Sequence, residues 1–357
     1  MSLGEAARRA NILAAGPNAM RPELTKAIDL LQRNTPEAVD EALGLLQNTV
    51  YSFSMKVCGH PEDAEDTMQE VLFRSLKHLG KMQDPRALSV WLYTVTRNRC
   101  WQMRRKPANH AGRNLSIDEL MPDDAELAAL LEDAGVSPEG SAAQAEEQEI
   151  LQQAILRIPV ALRLVLVLHD MEELTSEEVA QVLGLQPGTV RVRLHRARLA
   201  VRKEMSRRVH GSAAGGAKAV KARRRATGAK AEAKARAKKR PAECRDLFAQ
   251  LSEYLDGRVE PATCAEMERH IGGCPACVAF LGDLRRAIER CRGLEVKCDP
   301  AVAKRLRAVF TREYLRLIGT SERKDSLQPP AGRERLYSHQ NSQHAKEPPE
   351  RLVSDGS

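Results

Sequence analysis

The segment that decides the fold is Leu174–Met205, which has the sequence LTSEEVAQVLGLQPGTVRVRLHRARLAVRKEM. Thr175 and Glu178 have the spacing of a capping box, in which each side chain bonds the backbone of the other residue, and they predict the start of a helix. This short helix is expected to end at Gly184, because glycine tolerates the left-handed backbone that closes a helix. Pro187 can begin a second helix, where its missing N–H costs nothing. Two short helices joined by such a turn predict a helix-turn-helix.

The second helix is predicted to bury one face and to present the other to DNA. Its apolar residues recur with the helical period, at Val190, Leu194, Ala197 and Val201. The residues expected to point outward are Thr189, Arg191, Arg193, His195, Arg196 and Arg198. Such a helix fits the major groove, where arginine contacts base edges or phosphates. Arg191 and Arg193 are expected to contact base edges or phosphates, and Arg196, Arg198 and Arg202 are expected to neutralise phosphates. The alternative is a solvated basic face on a plain helical hairpin.

Helices are also predicted on the N-terminal side of this motif. Residues 149–171 form an apolar stretch that Ile158-Pro159 interrupts. Further upstream, Pro61 begins an amphipathic stretch whose apolar residues follow the helical period. After Asp84-Pro85, a helix from about Ala87 to Arg105 combines aromatic and basic side chains. The chain therefore contains two helical bodies before residue 207.

Charge is concentrated in two segments that contain few bulky apolar residues. From Arg207 to Pro241 there are 13 Lys or Arg and one acid, and from Pro107 to Gln148 there are ten acids and one base. Pro and Gly interrupt both segments, so we expect them to be linkers between folded bodies. The formal net charge of +8 therefore comes from the basic segment and not from a folded surface.

Four residues in the last third of the chain have the spacing of metal ligands. They form the pattern C-x25-H-x3-C-x2-C and are Cys244, His270, Cys274 and Cys277. Thiolate and imidazole ligands in this number suit one tetrahedral Zn²⁺, and the alternative is buried thiols beside a surface histidine. Residues 270–277 are predicted to form a tight turn that closes on the metal. The spare thiols nearby are Cys264, Cys291 and Cys298. The site is therefore either a closed structural centre or a switch that oxidation or ligand exchange opens.

The composition favours small helical domains. The chain has two Trp, five Tyr and five Phe among 357 residues, too few aromatic residues for a large β-sandwich or barrel. The expected fold class is all-α, with two small helical domains, the second a helix-turn-helix, and a small helical zinc-binding domain, joined by flexible linkers. The predicted segments are 20–106 and 149–206 for the first two domains, 107–148 and 207–241 for the linkers, 242–292 for the zinc-binding domain, 293–320 for an amphipathic helix and 321–357 for a disordered tail.

Two further segments complete the pattern of a known family. They are HPEDAEDTMQEVLFRSLKHL at residues 60–79 and ALSVWLYTVTRNRCWQMRRK at residues 87–106, and the acidic segment and the helix-turn-helix follow them. In this order the chain resembles a bacterial sigma factor of the extracytoplasmic-function (ECF) group of the sigma-70 family. The resemblance covers about 40–106 and 149–206, which would be regions 2 and 4 of such a factor. It implies a dissociable subunit that directs core RNA polymerase to specific promoters and initiates transcription.

The resemblance implies roles for individual residues. The acidic helix would dock on core RNA polymerase, where negative charge complements a basic surface. The corresponding residues are Asp63, Asp66, Gln69 and Glu70; taken alone, they would indicate only a solvated acidic face. The aromatic and basic helix would bind and open the promoter −10 element, with Trp91 expected in the core. Its candidate DNA contacts are Arg97, Asn98, Arg104 and Arg105. The helix-turn-helix would bind the −35 element.

The metal-ligand pattern lies within a second resemblance. The phrases CRDL at 244–247 and YLDG at 254–257 accompany it, and residues 242–292 resemble a zinc-binding anti-sigma domain. In that family the domain is usually a separate chain that covers its sigma factor. A flexible linker of about 35 residues has a root-mean-square span of roughly 30–35 Å and gives effective concentrations near the millimolar range. We therefore hypothesise that the zinc domain contacts and modulates the sigma domains intramolecularly.

Other classes of function are less well supported. A helix-turn-helix regulator that acts without polymerase docking is the main alternative, but it has no need of residues 60–106. An enzyme is not indicated, because the sequence lacks a phosphate-binding loop and a dinucleotide fingerprint, and a four-ligand zinc site leaves no position open for substrate. No run of 18 apolar residues indicates a membrane span, and Glu5, Arg8 and Arg9 interrupt the N-terminus where a signal peptide would be apolar. The expected location is the cytoplasm.

Overall fold

Proline marks the first residue of most helices, where its fixed φ suits the helix and its missing N–H needs no partner. The computed structural model describes residues 22–103, 117–122, 126–127, 130–131, 141–212 and 250–325. The regular structure in these ranges is helical, which confirms the all-α prediction. Arg104, Arg105, Cys244 and residues 213–241 of the basic segment lie outside the described residues, whereas residues 207–212, predicted as linker, continue a helix that ends at Ser212. None of the described helices combines the length and the apolar character needed to cross a membrane.

The first four helices pack together around one apolar cluster. They are α1 (Pro22–Arg33), α2 (Pro36–Cys58), α3 (Pro61–Leu79) and α4 (Pro85–Met103). Helix α2 ends at Gly59, whose φ of 83° is a left-handed conformation that glycine adopts without strain. Helix α3 buries Ala64, Met68 and Leu72, as the helical period predicts. Its acidic side chains are left on the opposite face.

The helix-turn-helix forms where the sequence predicts it. Its elements are α6 (Ser141–Arg157), α7 (Val160–Leu166), a π-helical turn (Val167–Met171), α8 (Ser176–Leu183) and α9 (Pro187–Ser212). The break between α6 and α7 falls at Ile158-Pro159. Both hydrogen bonds of the capping box between Thr175 and Glu178 are present, and Gly184 closes α8 with a φ of 65°. The π-helical turn was not predicted.

The described part of the predicted acidic linker is packed against the core. Helix α5 (Ile117–Leu120) lies within this segment, and Leu120 and Met121 are buried in the same apolar cluster as α7 and α9. Helix α6 also begins inside the predicted linker, at Ser141. The expectation of a plain tether is wrong for these residues, because scattered apolar side chains in an acidic sequence are sufficient to anchor it.

The C-terminal module is also helical. Residues 250–255 are helical and are followed by α10 (Pro261–Gly273), α11 (Pro275–Arg292) and α12 (Pro300–Asp325). The tight turn predicted for residues 270–277 is wrong, because α10 continues through Gly273 and the chain breaks only at Cys274. The predicted amphipathic helix begins later than expected, since residues 294–299 have no regular structure.

Two apolar clusters connect segments that are far apart in sequence. The first contains residues of α2, α4, α7, α9 and α11, and the second contains residues of α1 to α4 together with Cys298, Phe310 and Tyr314. The described residues up to Ile318 therefore belong to one compact unit. Contacts across the predicted domain boundaries determine which functional side chains are accessible.

Candidate polymerase, nucleic-acid and metal sites

Helix α9 presents the polar residues of its N-terminal part to solvent. Its predicted apolar face is buried, with Val190, Leu194, Ala197 and Val201 all inaccessible. Thr189 is exposed, and the side chains of Arg191, Arg193 and Arg196 are half-buried. These four residues remain available for a contact with a duplex.

The predicted outward orientation of His195 and Arg198 is wrong. Arg198 is fully buried, and its guanidinium donates to Asp170 over 2.6 and 2.8 Å. It also donates to Asp256 over 2.8 Å and to the Ser252 hydroxyl over 2.7 Å. A guanidinium taken out of water needs charged acceptors of this kind, so the partners rather than the helical period determine where Arg198 lies.

This cluster shifts the pKa values of its members. Burial alone would raise the pKa of Asp170, but the charge and hydrogen bonds of Arg198 hold it well below its usual range. Burial would lower the pKa of Arg198, and the carboxylates of Asp170 and Asp256 raise it. His195 is different, since burial and the charges of Arg198 and Arg196 lower its pKa to about 4. Neither ring nitrogen of His195 has a hydrogen-bond partner among the described residues.

Arg202, expected to contact phosphates, is also buried. Its guanidinium lies 3.2 Å from Asp283 of α11 and 3.5 Å from Glu126, and it stacks over the Phe280 ring at 4.9 Å. A further bond joins Arg258 of the C-terminal module to the Ser176 hydroxyl at the start of α8, over 2.8 Å. The C-terminal module therefore contacts the middle of α9, at Arg198 and Arg202, and the first turn of α8.

The acidic face of α3 lies at the surface. Asp66 is exposed, and Asp63, Gln69 and Glu70 are half-buried. Glu70 is not free, because its carboxylate pairs with Arg99 of α4 over 2.6 Å and with Arg74 over 2.5 Å. The predicted polymerase contacts are thus brought together along one helix.

Helix α4 presents some of its predicted DNA contacts. Asn98 is exposed, and its amide oxygen accepts from the guanidinium of the half-buried Arg97 over 3.1 Å. Trp101 is 61% exposed. Trp91 is partly buried and packs beside His78, in agreement with a place in the core. Tyr93 is buried, and its hydroxyl donates to Glu172 over 2.6 Å.

Three of the four predicted metal ligands converge. The ligand atoms of His270, Cys274 and Cys277 lie within 4.8 Å of one another, and His270 Nε2 is 3.3 Å from Cys277 Sγ. Bonds of about 2.0–2.3 Å in a tetrahedron place neighbouring ligand atoms roughly 3.3–3.8 Å apart, so the donor set fits Zn²⁺. Helix α10 supplies His270, and the break before α11 supplies Cys274.

None of the spare thiols belongs to this cluster in the described part of the chain. Cys291 is fully buried, and burial together with the nearby charge of Asp170 raises its pKa. A thiol held in this protonated form is a poor metal ligand and a poor nucleophile. Cys298 lies in the second apolar cluster, where burial and the charge of Glu65 raise its pKa.

Helix α12 packs along α2. Arg307 pairs with Asp40 over 3.2 Å, and the Thr311 hydroxyl donates to the same carboxylate over 3.0 Å. The Gln47 amide donates to the Ala303 carbonyl over 3.1 Å. Gly44 permits this approach, because a Cβ there would lie 2.6 Å from the Arg307 guanidinium.

Comparison with known proteins accounts for this arrangement. The family model for sigma-70 region 2 matches residues 44–109, and that for sigma-70 region 4 matches residues 148–201. A putative zinc-finger model matches residues 244–277. The chain thus contains regions 2 and 4 of an RNA polymerase sigma factor, which is a transcription initiation factor, and in addition an anti-sigma-like zinc-finger segment.

Curated relatives of the chain align with about half of its length. It is 27% identical over 188 residues to the ECF RNA polymerase sigma factor SigW of Bacillus subtilis, covering 52% of this chain and 98% of the relative. It is 28% identical over 184 residues to the RNA polymerase sigma-H factor of Pseudomonas aeruginosa, covering 50% and 91%. It is 33% identical over 178 residues to the probable RNA polymerase sigma factor RfaY of Xanthomonas campestris, covering 49% and 42%. The family binds core RNA polymerase and promoter DNA.

Sequence reasoning missed the acids that organise the buried contacts. Asp170 and Glu172 end an otherwise apolar stretch, and both are buried in the structure. A carboxylate in such a position signals a buried charge that needs a partner. The partners could not be identified, because Arg198 lies 28 residues from Asp170 and Lys56 lies 116 residues from Glu172.

Proposed function

We propose that the C-terminal module of this sigma factor modulates it in cis by holding regions 2 and 4 in a closed arrangement. When the arrangement opens, the factor directs core RNA polymerase in the cytoplasm to promoters with −35 and −10 elements. The polymerase-binding residues are Asp63, Asp66, Gln69 and Glu70. The −10 contacts are Arg97, Asn98, Arg104 and Arg105. The −35 contacts are Thr189, Arg191, Arg193 and Arg196.

The observation that carries this proposal is that Arg198 is bound both by region 4 and by the C-terminal module. Arg198 lies in the DNA-reading helix α9. Its guanidinium donates to Asp256 and Ser252 of the module and to Asp170 of region 4. An arginine held by the buried Asp170 and the partly buried Asp256 is not free to reach a phosphate. Charge-assisted hydrogen bonds of this kind are about twice as strong as neutral ones, which supports a role in regulation.

The spacing of promoter elements supports the same conclusion. The −35 and −10 elements are about 25 base pairs apart, or roughly 85 Å at about 3.4 Å per base pair. In the closed arrangement, Lys56 of region 2 and Glu172 of region 4 are 3.0 Å apart. Two small domains in contact cannot occupy elements at that separation, so binding of both elements requires the domains to part.

The proposed zinc ligands are Cys244, His270, Cys274 and Cys277. A bound Zn²⁺ would cross-link α10 to α11 and neutralise the thiolates. Helix α11 also supplies Asp283, which pairs with Arg202 of α9. Fixing the orientation of α11 thus supports the surface that covers region 4. Whether loss of the metal opens the module depends on how firmly the apolar core alone holds α11.

The test is transcription in vitro with purified core RNA polymerase and the full-length chain. The Asp256→Asn variant removes one carboxylate from Arg198, and we expect about tenfold more transcript at limiting factor concentration. Glu253→Gln is the matched control, because Glu253 lies in the same helical segment and is exposed. Each is assayed with and without a zinc chelator and an oxidant.

Two results would contradict the proposal. Deletion of residues 242–357 with unchanged promoter-dependent transcription in every metal and redox condition would exclude modulation in cis. Absence of any affinity of the intact and the deleted chain for core polymerase would leave a DNA-binding regulator without polymerase docking.

A further inference from the structure

The π-helical turn Val167–Met171 is the meeting point of regions 2 and 4. Its side chains are all buried, and the turn closes with a hydrogen bond from the Glu172 amide to the Val167 carbonyl over 2.9 Å. Turns of this kind are uncommon inside α-helices and are frequent at functional sites. Here the turn places Asp170 and Glu172 two residues apart, both shielded from water.

The two carboxylates hold different partners. Asp170 holds Arg198 within region 4, and Arg198 continues the network into the C-terminal module. Glu172 accepts from Lys56 Nζ over 3.0 Å and from the Tyr93 hydroxyl over 2.6 Å. Lys56 lies in α2 and Tyr93 in α4, and both helices belong to region 2.

A second bond joins the same two regions. The Arg163 guanidinium of α7 donates to the Val57 carbonyl of α2 over 2.7 Å. None of these contacts between regions 2 and 4 uses a side chain of the C-terminal module. Lys56 is 3% exposed and Glu172 is 1% exposed, so their charges face each other without intervening solvent.

We propose that Glu172 is a latch residue that closes region 2 directly onto region 4, in addition to the lock that the zinc-binding module provides. The inference rests on the proposed function in one respect, that the closed arrangement limits promoter binding. It adds a second, metal-independent contribution to closure, located within the sigma regions themselves. Loss of one partner from a buried ion pair is costly because the other charge stays buried, so the latch is sensitive to conservative substitution.

The accessibility of Lys56 reports directly on the latch. An amine-reactive acylating reagent labels lysines in proportion to their exposure, and mass spectrometry gives the rate for each residue. In the full-length protein, Lys56 should be labelled slowly, whereas Lys77, exposed on α3, should be labelled fast and serves as an internal reference. Glu172→Gln should increase the labelling rate of Lys56 about tenfold through a larger open population. Glu177→Gln changes an exposed residue of α8 and should leave the labelling rate of Lys56 unchanged.

A second variant separates latch opening from the altered chemistry of Lys56. Tyr93→Phe removes only the hydroxyl that bonds Glu172 and keeps the ring that packs on Phe53 at 5.1 Å. It should also increase Lys56 labelling, by severalfold. Thr96→Val is its matched control, because it removes a buried hydroxyl of α4 that bonds the Leu92 carbonyl of the same helix. A simple loss of fold stability would raise labelling in both variants equally.

The metal-ligand variant Cys277→Ser distinguishes the latch from the zinc-dependent lock. If the latch contributes separately, Glu172→Gln raises Lys56 labelling by the same factor in the Cys277→Ser background as in the wild type. The inference is overturned if Lys56 labelling is indifferent to Glu172→Gln and Tyr93→Phe, or if their effects disappear in that background. If Cys277→Ser leaves transcription unchanged while Glu172→Gln still opens the protein, control through the zinc site fails and the latch stands.

Discussion

Helices α3 and α9 carry the two functional faces that the sequence predicts, and these faces differ in how accessible they are to solvent. The acidic residues of α3 stay at the surface, with Asp66 exposed. On α9, the N-terminal residues stay accessible, whereas Arg198 and Arg202 are buried under partners from distant segments. The helical period shows which side of a helix is apolar. It does not show whether another part of the chain covers the polar side.

The difference lies in what surrounds each charge. The Asp66 carboxylate on α3 is exposed to water and needs no buried partner. A guanidinium on α9 that is covered by the module must be paired with carboxylates, and the chain supplies Asp170, Asp256 and Asp283. The comparison therefore predicts large effects of substitution on α9 and small ones on α3.

The largest effect is expected at Arg198. Arg198→Met leaves Asp170 buried without its principal cation, and we expect the free energy of unfolding to fall by about 3–5 kcal/mol. Unfolding in urea, followed by circular dichroism, measures the change. Arg193→Met, on the accessible part of the same helix, is the control and should change stability by less than about 0.5 kcal/mol. Equal effects at both positions would show that the buried network does not stabilise the fold.

A pH effect of similar origin is expected at His195. Its pKa is lowered to about 4 in the folded chain, against 6.5 for the free group, so the unfolded chain binds the proton first as pH falls. The stability it contributes is complete above pH 6.5 and decreases as pH falls towards 4, by about 3 kcal/mol in total. Comparison of urea unfolding at pH 7 and pH 4.5 in the wild type and in His195→Leu measures this. If both proteins lose the same stability, His195 is not the responsible group.

The capping box should have an intermediate effect. Thr175→Ala removes the side-chain acceptor for the Glu178 amide at the start of α8, and a loss of about 1 kcal/mol is expected. Thr189→Ala, at an exposed position in the first turn of α9, provides the comparison for the same chemical change. Thermal unfolding is compared for the wild type, Thr175→Ala and Thr189→Ala. A larger loss of stability in Thr189→Ala than in Thr175→Ala would contradict the assignment of Thr175 as the capping residue.

The smallest effect on stability is expected on α3. Asp66→Asn should change the free energy of unfolding by less than about 0.5 kcal/mol, since the side chain is exposed. It should nevertheless weaken binding to core polymerase, because a charge that complements the partner is lost. Fluorescence anisotropy with labelled sigma factor measures the affinity. Glu62→Gln, exposed in the first turn of the same helix, is the control; an equal loss there would indicate general electrostatic attraction instead of a defined contact.

Local signals made much of the fold predictable. The capping residues Thr175 and Glu178, the prolines and the terminal Gly184 act within a few residues, and the helices of the helix-turn-helix follow them. Three of the predicted zinc ligands converge because their spacing is short enough for one helix break to bring them together. The cover over α9 was not predictable, since it depends on pairing Arg198 with Asp256, 58 residues away.

The contact of α12 with α2 has a consequence for the time at which control begins. Residues from Val302 to Ile318 pack on region 2, which is synthesised earlier, and they follow α9 by about 100 residues. At about 5–20 residues per second, a ribosome needs roughly 5–20 s to add them. During this interval the nascent chain already contains both DNA-reading regions without α12, so the restraint that α12 adds is imposed only after these regions have been made.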